Sequence, residues 1–184
     1  MKTKSVLPLF CLIGVAGCCL WSCETVQKYS NIPEIHYKHL VFVDRTDDLG
    51  ETFKNAVLTF SFIDGDGDLG VKPQDKPSDR VSKIHYTWYS KHSDNTYQPY
   101  KFPNDSINLS SEIPYNSVMD KSEAHNKVLK GTIEIELSTP IEPKGVDTMR
   151  VEFYIADRAR NQSNIEYTPD FSLLNIPEEF LPTK

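Results

Sequence analysis

The feature of this sequence that most constrains its fold is a period-two alternation of apolar and polar residues. Residues 57–63 show it clearly, with three apolar side chains of one parity and two hydroxyls of the other: Leu58, Phe60 and Phe62 against Thr59 and Ser61. Because successive side chains of a β-strand point to opposite faces, this pattern predicts a half-buried strand. The pattern recurs at residues 84–89, 133–137 and 149–155, and less strongly at residues 35–43, 97–102 and 165–168.

These seven segments predict an all-β chain. The segments between them are rich in Asp, Asn, Gly, Pro and Ser: residues 44–50, 64–78, 104–117 and 139–147. We therefore expect a single immunoglobulin-like antiparallel β-sandwich of about seven strands over residues 33–168. A short helical turn is expected within residues 117–127. Residues 169–184 hold six apolar side chains among three prolines, which predicts an irregular C-terminal tail packed on the domain.

The first 22 residues have the pattern of a signal peptide. Lys2 and Lys4 precede an uncharged apolar stretch over residues 6–21. This stretch is shorter than the run of about 20 apolar residues that a spanning helix needs, and no later run is that long. All four cysteines lie in the first 23 residues, at positions 11, 18, 19 and 23. We therefore expect a mature domain without disulfides or thiolate metal sites.

The cysteines resemble the lipobox of bacterial lipoproteins, in which a small residue precedes the cysteine that becomes acylated. Two registers fit: Leu-Trp-Ser-Cys, which ends at Cys23, and Val-Ala-Gly-Cys, which ends at Cys18. The second is closer to the usual pattern, but cleavage there would leave residues 19–21 as an apolar tail, so we favour Cys23. An ordinary secretory signal with bystander cysteines is the remaining alternative.

A lipobox at Cys23 predicts where the protein resides. Residues 23–32 would form a lipidated N-terminus and tether, and the lipid would anchor the chain to the outer membrane with its domain on the periplasmic or cell-surface side. The formal net charge of −6 becomes −8 when Lys2 and Lys4 are removed with the signal peptide. Because this charge repels nucleic acid and anionic headgroups, we expect no nucleic-acid partner and membrane contact only through the anchor.

The most informative motif is an aspartate loop directly after the strand predicted at residues 57–63. Asp64, Asp66 and Asp68 alternate there with Gly65 and Gly67. Carboxylates at alternate positions of a glycine-rich turn can converge on one centre, and such hard oxygen ligands suit calcium. Three like charges this close are unfavourable unless a cation or solvent screens them. The alternative is a solvated turn that uses Asp and Gly for positive φ and local hydrogen bonds.

The loop is not an EF-hand, because its sixth position is Leu69 instead of glycine and its twelfth is Asp75 instead of glutamate. A fourth carboxylate is expected from Asp157. Residues 157–163 resemble the Asp-x-Ala-x-Asn-x-Ser turn between the last two strands of bacterial immunoglobulin-like domains, with Arg160 where glycine is usual. The loops after the second strand and before the last lie at one end of such a sandwich, so Asp157 could approach the aspartate loop.

Three segments together resemble surface lipoproteins common in the Bacteroidota. They are the lipobox, the segment Leu-Thr-Phe-Ser-Phe-Ile-Asp-Gly-Asp-Gly-Asp-Leu-Gly at residues 58–70, and the segment Val-Glu-Phe-Tyr-Ile-Ala-Asp-Arg at residues 151–158. The resemblance spans most of the mature chain. It implies an immunoglobulin-like fold and an envelope location, and it implies no particular activity.

We expect no enzymatic activity. The sequence contains no Gly-x-Ser-x-Gly elbow, no His-Glu-x-x-His zinc helix and no phosphate-binding glycine loop. His36 and His39 are three apart on a predicted strand, so they should face opposite sides and not share a metal. A dispersed pair of carboxylates, as in glycoside hydrolases, remains the enzymatic alternative because such groups meet only in space.

Aromatic residues cluster near residue 90. We expect Tyr86 and Trp88 in the core, and Tyr89, Tyr97 and Tyr100 on a surface that binds a ligand by stacking. The leading functional hypothesis is therefore a non-enzymatic module that binds a glycan, a peptide or a partner protein. The alternatives are a structural or accessory subunit of an envelope complex and, third, a hydrolase.

Two short segments fit the Asp-Ser/Thr-apolar pattern of Bacteroidota O-glycosylation. They are Asp-Ser-Ile at residues 105–107 and Asp-Thr-Met at residues 147–149. This pattern makes Ser106 and Thr148 candidate glycosylation sites.

The lipidation hypothesis has a direct test in mass spectrometry of the mature N-terminus. We expect a diacylglyceryl-modified Cys23 as the first residue, and we expect Cys23→Ala to yield protein without lipid. A modified Cys18 would show that the other register is used. An N-terminus without lipid would contradict anchoring altogether.

Overall fold

The computed structural model describes residues 28–102, 109–115, 128–140 and 146–182. These residues form eight strands: β1 (Glu34–Thr46), β2 (Thr52–Asp64), β3 (Lys83–Lys91), β4 (Tyr97–Pro99), β5 (Ser110–Glu112), β6 (Leu129–Leu137), β7 (Met149–Ala156) and β8 (Glu166–Tyr167). Helical structure among them consists of two three-residue 3₁₀ turns, Pro77–Asp79 and Glu178–Phe180. In this part of the chain, no helix has the length and apolar character needed to cross a membrane.

The strands form two antiparallel sheets, which confirms the predicted fold class. One sheet has the order β1-β2-β6, and the other has the order β4-β3-β7-β8, with β5 also paired to β3. These orders correspond to A-B-E and C′-C-F-G of an immunoglobulin-like sandwich.

The core lies between the inner faces of the two sheets. Phe60 of β2 contacts Phe153 of β7 at a ring-centroid distance of 5.4 Å. Along β3 every second residue is buried, and Tyr86 and Trp88 are 5% and 0% exposed. The alternation in the sequence therefore identified the buried face of this strand, and both aromatic residues belong to the core as predicted.

The eighth strand, β5, was missed by the sequence pattern. Its residues, Ser-Ser-Glu, lie in a segment that we interpreted as a turn, because they carry no apolar alternation. They are held as a strand by backbone pairing, with Ser110, Ser111 and Glu112 opposite residues 83–85 of β3. Pairing of this kind depends on the neighbouring strand and leaves no signal in the side chains.

The expectation that His36 and His39 face opposite sides of the sheet was also wrong. A β-bulge lies between Tyr37 and His39, so that His36 pairs with Ser61 and His39 pairs with Thr59. Because Ser61 and Thr59 are two residues apart, both histidines lie on the same outer face of the sheet, and both are exposed. One inserted residue inverts the parity that follows it.

The C-terminal segment packs on the sandwich through two phenylalanines. Phe171 exchanges backbone hydrogen bonds with Met149, at 2.8 and 2.9 Å, and its ring lies 5.8 Å from that of Trp88. Phe180 is 2% exposed, whereas Leu174 is 65% exposed. The helical turn expected within residues 117–127 falls on 116–127, outside the described residues.

The loops that follow β2 and β7 meet at one pole of the sandwich, as the topology predicted. The amide of Arg158 donates to the carbonyl of Asp68 over 3.3 Å. The amide of Ala159 donates to the Asp68 carboxylate over 2.9 Å. These bonds bring together two segments about 90 residues apart.

Candidate metal centre

Four aspartates converge where the two loops meet. Asp64, Asp66, Asp68 and Asp157 each place one carboxylate oxygen within 4.8 Å of the others. Asp64 is the last residue of β2, and Asp157 directly follows β7. The two sheets therefore contribute to one cluster that could bind a metal ion.

The aspartate loop is shaped by short-range bonds and by one buried side chain. The Asp64 carboxylate accepts the amide of Asp68 over 2.9 Å, which closes the turn. Gly67 has a φ of 67°, in the left-handed region that glycine adopts without strain. Leu69, which stands at the glycine position of an EF-hand, is 1% exposed and anchors the loop in the core.

The second loop holds Asp157 in place through its own backbone and one asparagine. Asn161 donates its amide to Asp157 Oδ1 over 2.7 Å and its side-chain Nδ2 to Oδ2 over 2.8 Å. Arg160 has a φ of 71°. Glycine adopts this left-handed conformation without strain, which explains why it is usual at this position of the Asp-x-Ala-x-Asn-x-Ser turn. The conformation is strained for arginine.

The carboxylates of the cluster are poorly solvated. Asp64 and Asp157 are both 0% exposed. Among the described residues, the Oδ1 atoms of Asp64, Asp66 and Asp68 are buried and have no hydrogen-bond partner. Buried carboxylate oxygens without partners are costly, because water no longer compensates their charge.

Burial and mutual repulsion raise two pKa values in the cluster. Desolvation, followed by the charge and a shared hydrogen bond of Asp66, raises the pKa of Asp64 to about 7. Desolvation and the charge of Asp157 raise the pKa of Asp68 to about 6, although the Ala159 amide and Arg158 act in the opposite direction. In the absence of a cation, the cluster therefore reduces its negative charge by retaining protons to a higher pH than free carboxyl groups do.

The predicted tyrosine surface is only partly brought together. Tyr89 and Tyr97 both lie near Arg150, whose guanidinium carbon is 5.9 and 3.6 Å from their ring centroids. Tyr100 instead packs on Phe102 at the edge of the core. Tyr167, which was not among the predicted residues, places its ring 4.5 Å from the same guanidinium.

We call Arg150 with Tyr89, Tyr97 and Tyr167 the aromatic face. Cross-strand pairing places Tyr89 opposite Arg150, and Tyr167 opposite Glu152. The phenols are tied to carboxylates, since Tyr167 donates to Glu152 over 2.8 Å and Tyr97 donates to Asp170 over 2.7 Å. The sequence carried no signal for an exposed Tyr167, because the weak alternation at residues 165–168 sets it with Ile165 on the apolar parity, whereas both are exposed, by 41% and 53%.

The remaining candidate residues lie apart from the cluster. Thr148 is half-buried directly before β7, and its carbonyl accepts the amide of Lys91 over 2.9 Å. Ser106 and the two lipidation candidates, Cys23 and Cys18, fall outside the described residues.

The raised pKa values predict a pH dependence of stability in chelator-containing buffer. Above about pH 4 the unfolded chain has released the protons that folded Asp64 and Asp68 retain, so the folded state binds more protons. The loss of stability caused by ionising the buried carboxylate is absent below the ordinary Asp pKa of 3.8. It is complete above the folded-state pKa of Asp64, which is about 7. The free energy of unfolding should therefore fall between these limits, relative to Asp64→Asn.

Urea unfolding at pH 4.5, 6 and 7.5 measures this difference. Asp64→Asn is the matched control because it keeps the side-chain shape and removes one titrating carboxyl group. Parallel pH profiles for the wild type and this variant would contradict the raised pKa of Asp64.

Comparisons with known proteins add no assignment. No protein-family model, no curated protein and no solved structure matches this chain. The family resemblance therefore stays a prediction from the motifs quoted above.

Proposed function

We propose that the four-aspartate cluster binds Ca²⁺ and that the ion clamps one pole of a non-enzymatic, lipid-anchored extracytoplasmic domain. The observation that carries this proposal is that four aspartates from two loops each place one carboxylate oxygen within 4.8 Å of the others. It is supported by the buried Oδ1 atoms of Asp64, Asp66 and Asp68, which have no hydrogen-bond partner. A cation at their centre supplies the missing partner for each oxygen and offsets their repulsion.

The spacing of the oxygens fits a calcium ion. Calcium binds oxygen ligands at about 2.3–2.6 Å, so ligands on opposite sides of the ion are up to about 5 Å apart. The cluster's oxygens lie within 4.8 Å of one another. Four aspartates also offer second oxygens for bidentate contacts, which helps to reach the six to eight ligands that calcium takes.

The chemistry of the donors favours calcium over other metals. Softer metals prefer nitrogen and sulfur ligands, and the four residues of the cluster offer carboxylate oxygen alone. Magnesium demands a small, near-octahedral site and keeps several waters. A site built from two loops can adjust to the larger and geometrically less demanding ion.

A location outside the cytoplasm agrees with a calcium site of modest affinity. Calcium sites of extracellular modules have dissociation constants of about 10⁻⁴–10⁻³ M. A domain outside the cytoplasm could use such a site as a structural clamp. Here the ion would link the end of β2 in one sheet to the end of β7 in the other, which backbone pairing within each sheet does not do.

The aromatic face favours a second role for the same domain, the binding of a glycan. Tyr89, Tyr97 and Tyr167 surround one arginine on an outer sheet face, and Tyr167 is 41% exposed. Tyrosine rings offer flat apolar surface beside polar groups, as a sugar ring also does. The adjacent carboxylates of Glu152 and Asp170 accept hydrogen bonds from the phenols and could accept them from sugar hydroxyls.

Thermal unfolding tests the calcium clamp. At a hundredfold excess of calcium over its dissociation constant, binding to the folded state alone adds about 2.7 kcal/mol, which should raise Tm by roughly 5–10 °C. We expect this shift between millimolar calcium and chelator in the wild type, and coincident melts in Asp66→Ala.

A matched control is Asp48→Ala, which removes an exposed aspartate from the turn between β1 and β2, at the other end of these strands. This variant should keep the full calcium shift. Identical melts of the wild type with calcium and with chelator would overturn the proposal and leave the aspartates as a turn-forming motif.

Affinity electrophoresis in native gels containing xylan, laminarin or mannan tests the glycan role. The wild type should be retarded by at least one of these neutral polysaccharides, and Tyr167→Ala should lose most of the retardation because a stacking surface is gone. Leu174→Ala, which removes another exposed apolar side chain, should migrate as the wild type does. Absence of retardation in all three gels, or equal retardation of both variants, would contradict this role.

A further inference from the structure

The metal cluster lies against the segment that leads into the domain from the N-terminus. We call residues 29–35 the N-terminal strap. The amide of Gly65, which stands between two of the clustered aspartates, donates to the carbonyl of Ser30 over 2.9 Å. Asn161, whose side chain binds Asp157, also donates to the carbonyl of Asn31 over 3.4 Å. Both loops of the cluster therefore hold the strap.

The contact at Gly65 is too close for any side chain. A methyl group at this position would lie 2.7 Å from the carbonyl carbon of Ser30 and 2.8 Å from the carbonyl oxygen of Tyr29. Distances this short are below van der Waals contact. The φ of Gly65 is not in the left-handed region, so glycine is required here by the strap and not by the shape of the loop.

Further contacts fix both ends of the strap. Asn164 accepts the amide of Ile35 over 2.8 Å and donates to its carbonyl over 2.9 Å. At the other end, the ring of Tyr29 lies 3.8 Å from the Lys130 ammonium group on β6. The strap thus crosses the pole beside the carboxylate cluster.

The geometry points to a cation-dependent latch: we propose that an ion bound by the four aspartates holds the N-terminal strap on the domain, and that loss of the ion releases it. This inference rests on the proposed function. Without the ion, charged carboxylates of the two loops repel each other, which favours separation of the loops. Gly65 and Asn161 move with those loops, so the bonds to Ser30 and Asn31 cannot both persist.

The consequence concerns the reach of the domain from its proposed anchor at Cys23. Residues 29–33 are held at the pole through the carbonyls of Ser30 and Asn31 while the strap is bound. Released and extended, five residues span up to about 17 Å. The ion would thereby set how far the domain stands from the membrane.

Limited proteolysis of the full chain, purified in detergent micelles, tests the latch. Lys28 is exposed and directly precedes the strap, and endoproteinase Lys-C cleaves after lysine. A protease needs several extended residues on each side of the bond, so a bound strap protects it. We expect cleavage after Lys28 to be at least tenfold slower in millimolar calcium than in chelator, and cleavage after the exposed Lys101 to change little.

Two variants separate the latch from the metal site. Gly65→Ala should still bind calcium by isothermal titration but should be cleaved quickly after Lys28 with and without it, because the methyl displaces the strap. Asn164→Ala gives a second test if the first variant does not fold, since it removes both bonds to Ile35 of the strap and leaves the bonds of the four aspartates in place. In Asp66→Ala the cleavage rate should no longer respond to calcium.

The measurements distinguish failure of the proposed calcium site from failure of the latch. Absence of calcium binding in the wild type overturns the proposed function and the latch together. Calcium binding with an unchanged cleavage rate after Lys28 overturns the latch alone. Equal slowing at Lys28 and Lys101 also overturns it, because the ion would then act by stabilising the whole fold.

Discussion

The packing of two sheets through aromatic side chains is the constraint on which the rest of the structure depends. Phe60 of one sheet meets Phe153 of the other, and Trp88 and Phe42 both meet Phe171 of the C-terminal segment. Once these faces are joined, the ends of β2 and β7 lie at the same pole. The loops that follow them must then share limited space, with Asp64 at the end of β2 and Asp157 directly after β7.

Because the two loops share this space, their carboxylates lie close enough to repel one another. Four carboxylates approach within 4.8 Å, and two of the aspartates are fully buried. Hydrogen bonds from backbone amides stabilise some of their oxygens, but three others in the described residues have no partner. Protons or a cation must compensate for the negative charge of these carboxylates. The stability of the pole therefore depends on pH and on cation concentration.

On the aromatic face, in contrast, positive and negative groups lie near one another on an outer sheet surface. Arg150 lies between the rings of Tyr97 and Tyr167, and those phenols donate to Asp170 and Glu152. The rings lie against the cation and the phenols donate to the carboxylates, although the buried Arg150 Nε has no hydrogen-bond partner. The two sites therefore differ in charge balance: at the pole Arg158 offsets only part of the charge of four carboxylates, whereas Arg150 of the aromatic face lies beside two.

The sequence by itself determined the fold class, the faces of the long strands and three of the four clustered aspartates, because these depend on local parity and spacing. It also placed Asp157 near the loop, through the topology that an immunoglobulin-like sandwich imposes. It could not reveal β5, the bulge beside His39 or the place of Tyr167, since each depends on what a neighbouring strand offers.

Only the tertiary structure decided that the aspartates are buried and that the N-terminal strap lies against them. The spacing of Asp64, Asp66 and Asp68 is the same whether the loop is solvated or enclosed. Burial follows from Leu69 in the core, from the second loop and from the strap over Gly65. Long-range contacts of this kind are set by how whole elements pack, and no local pattern in the chain records them.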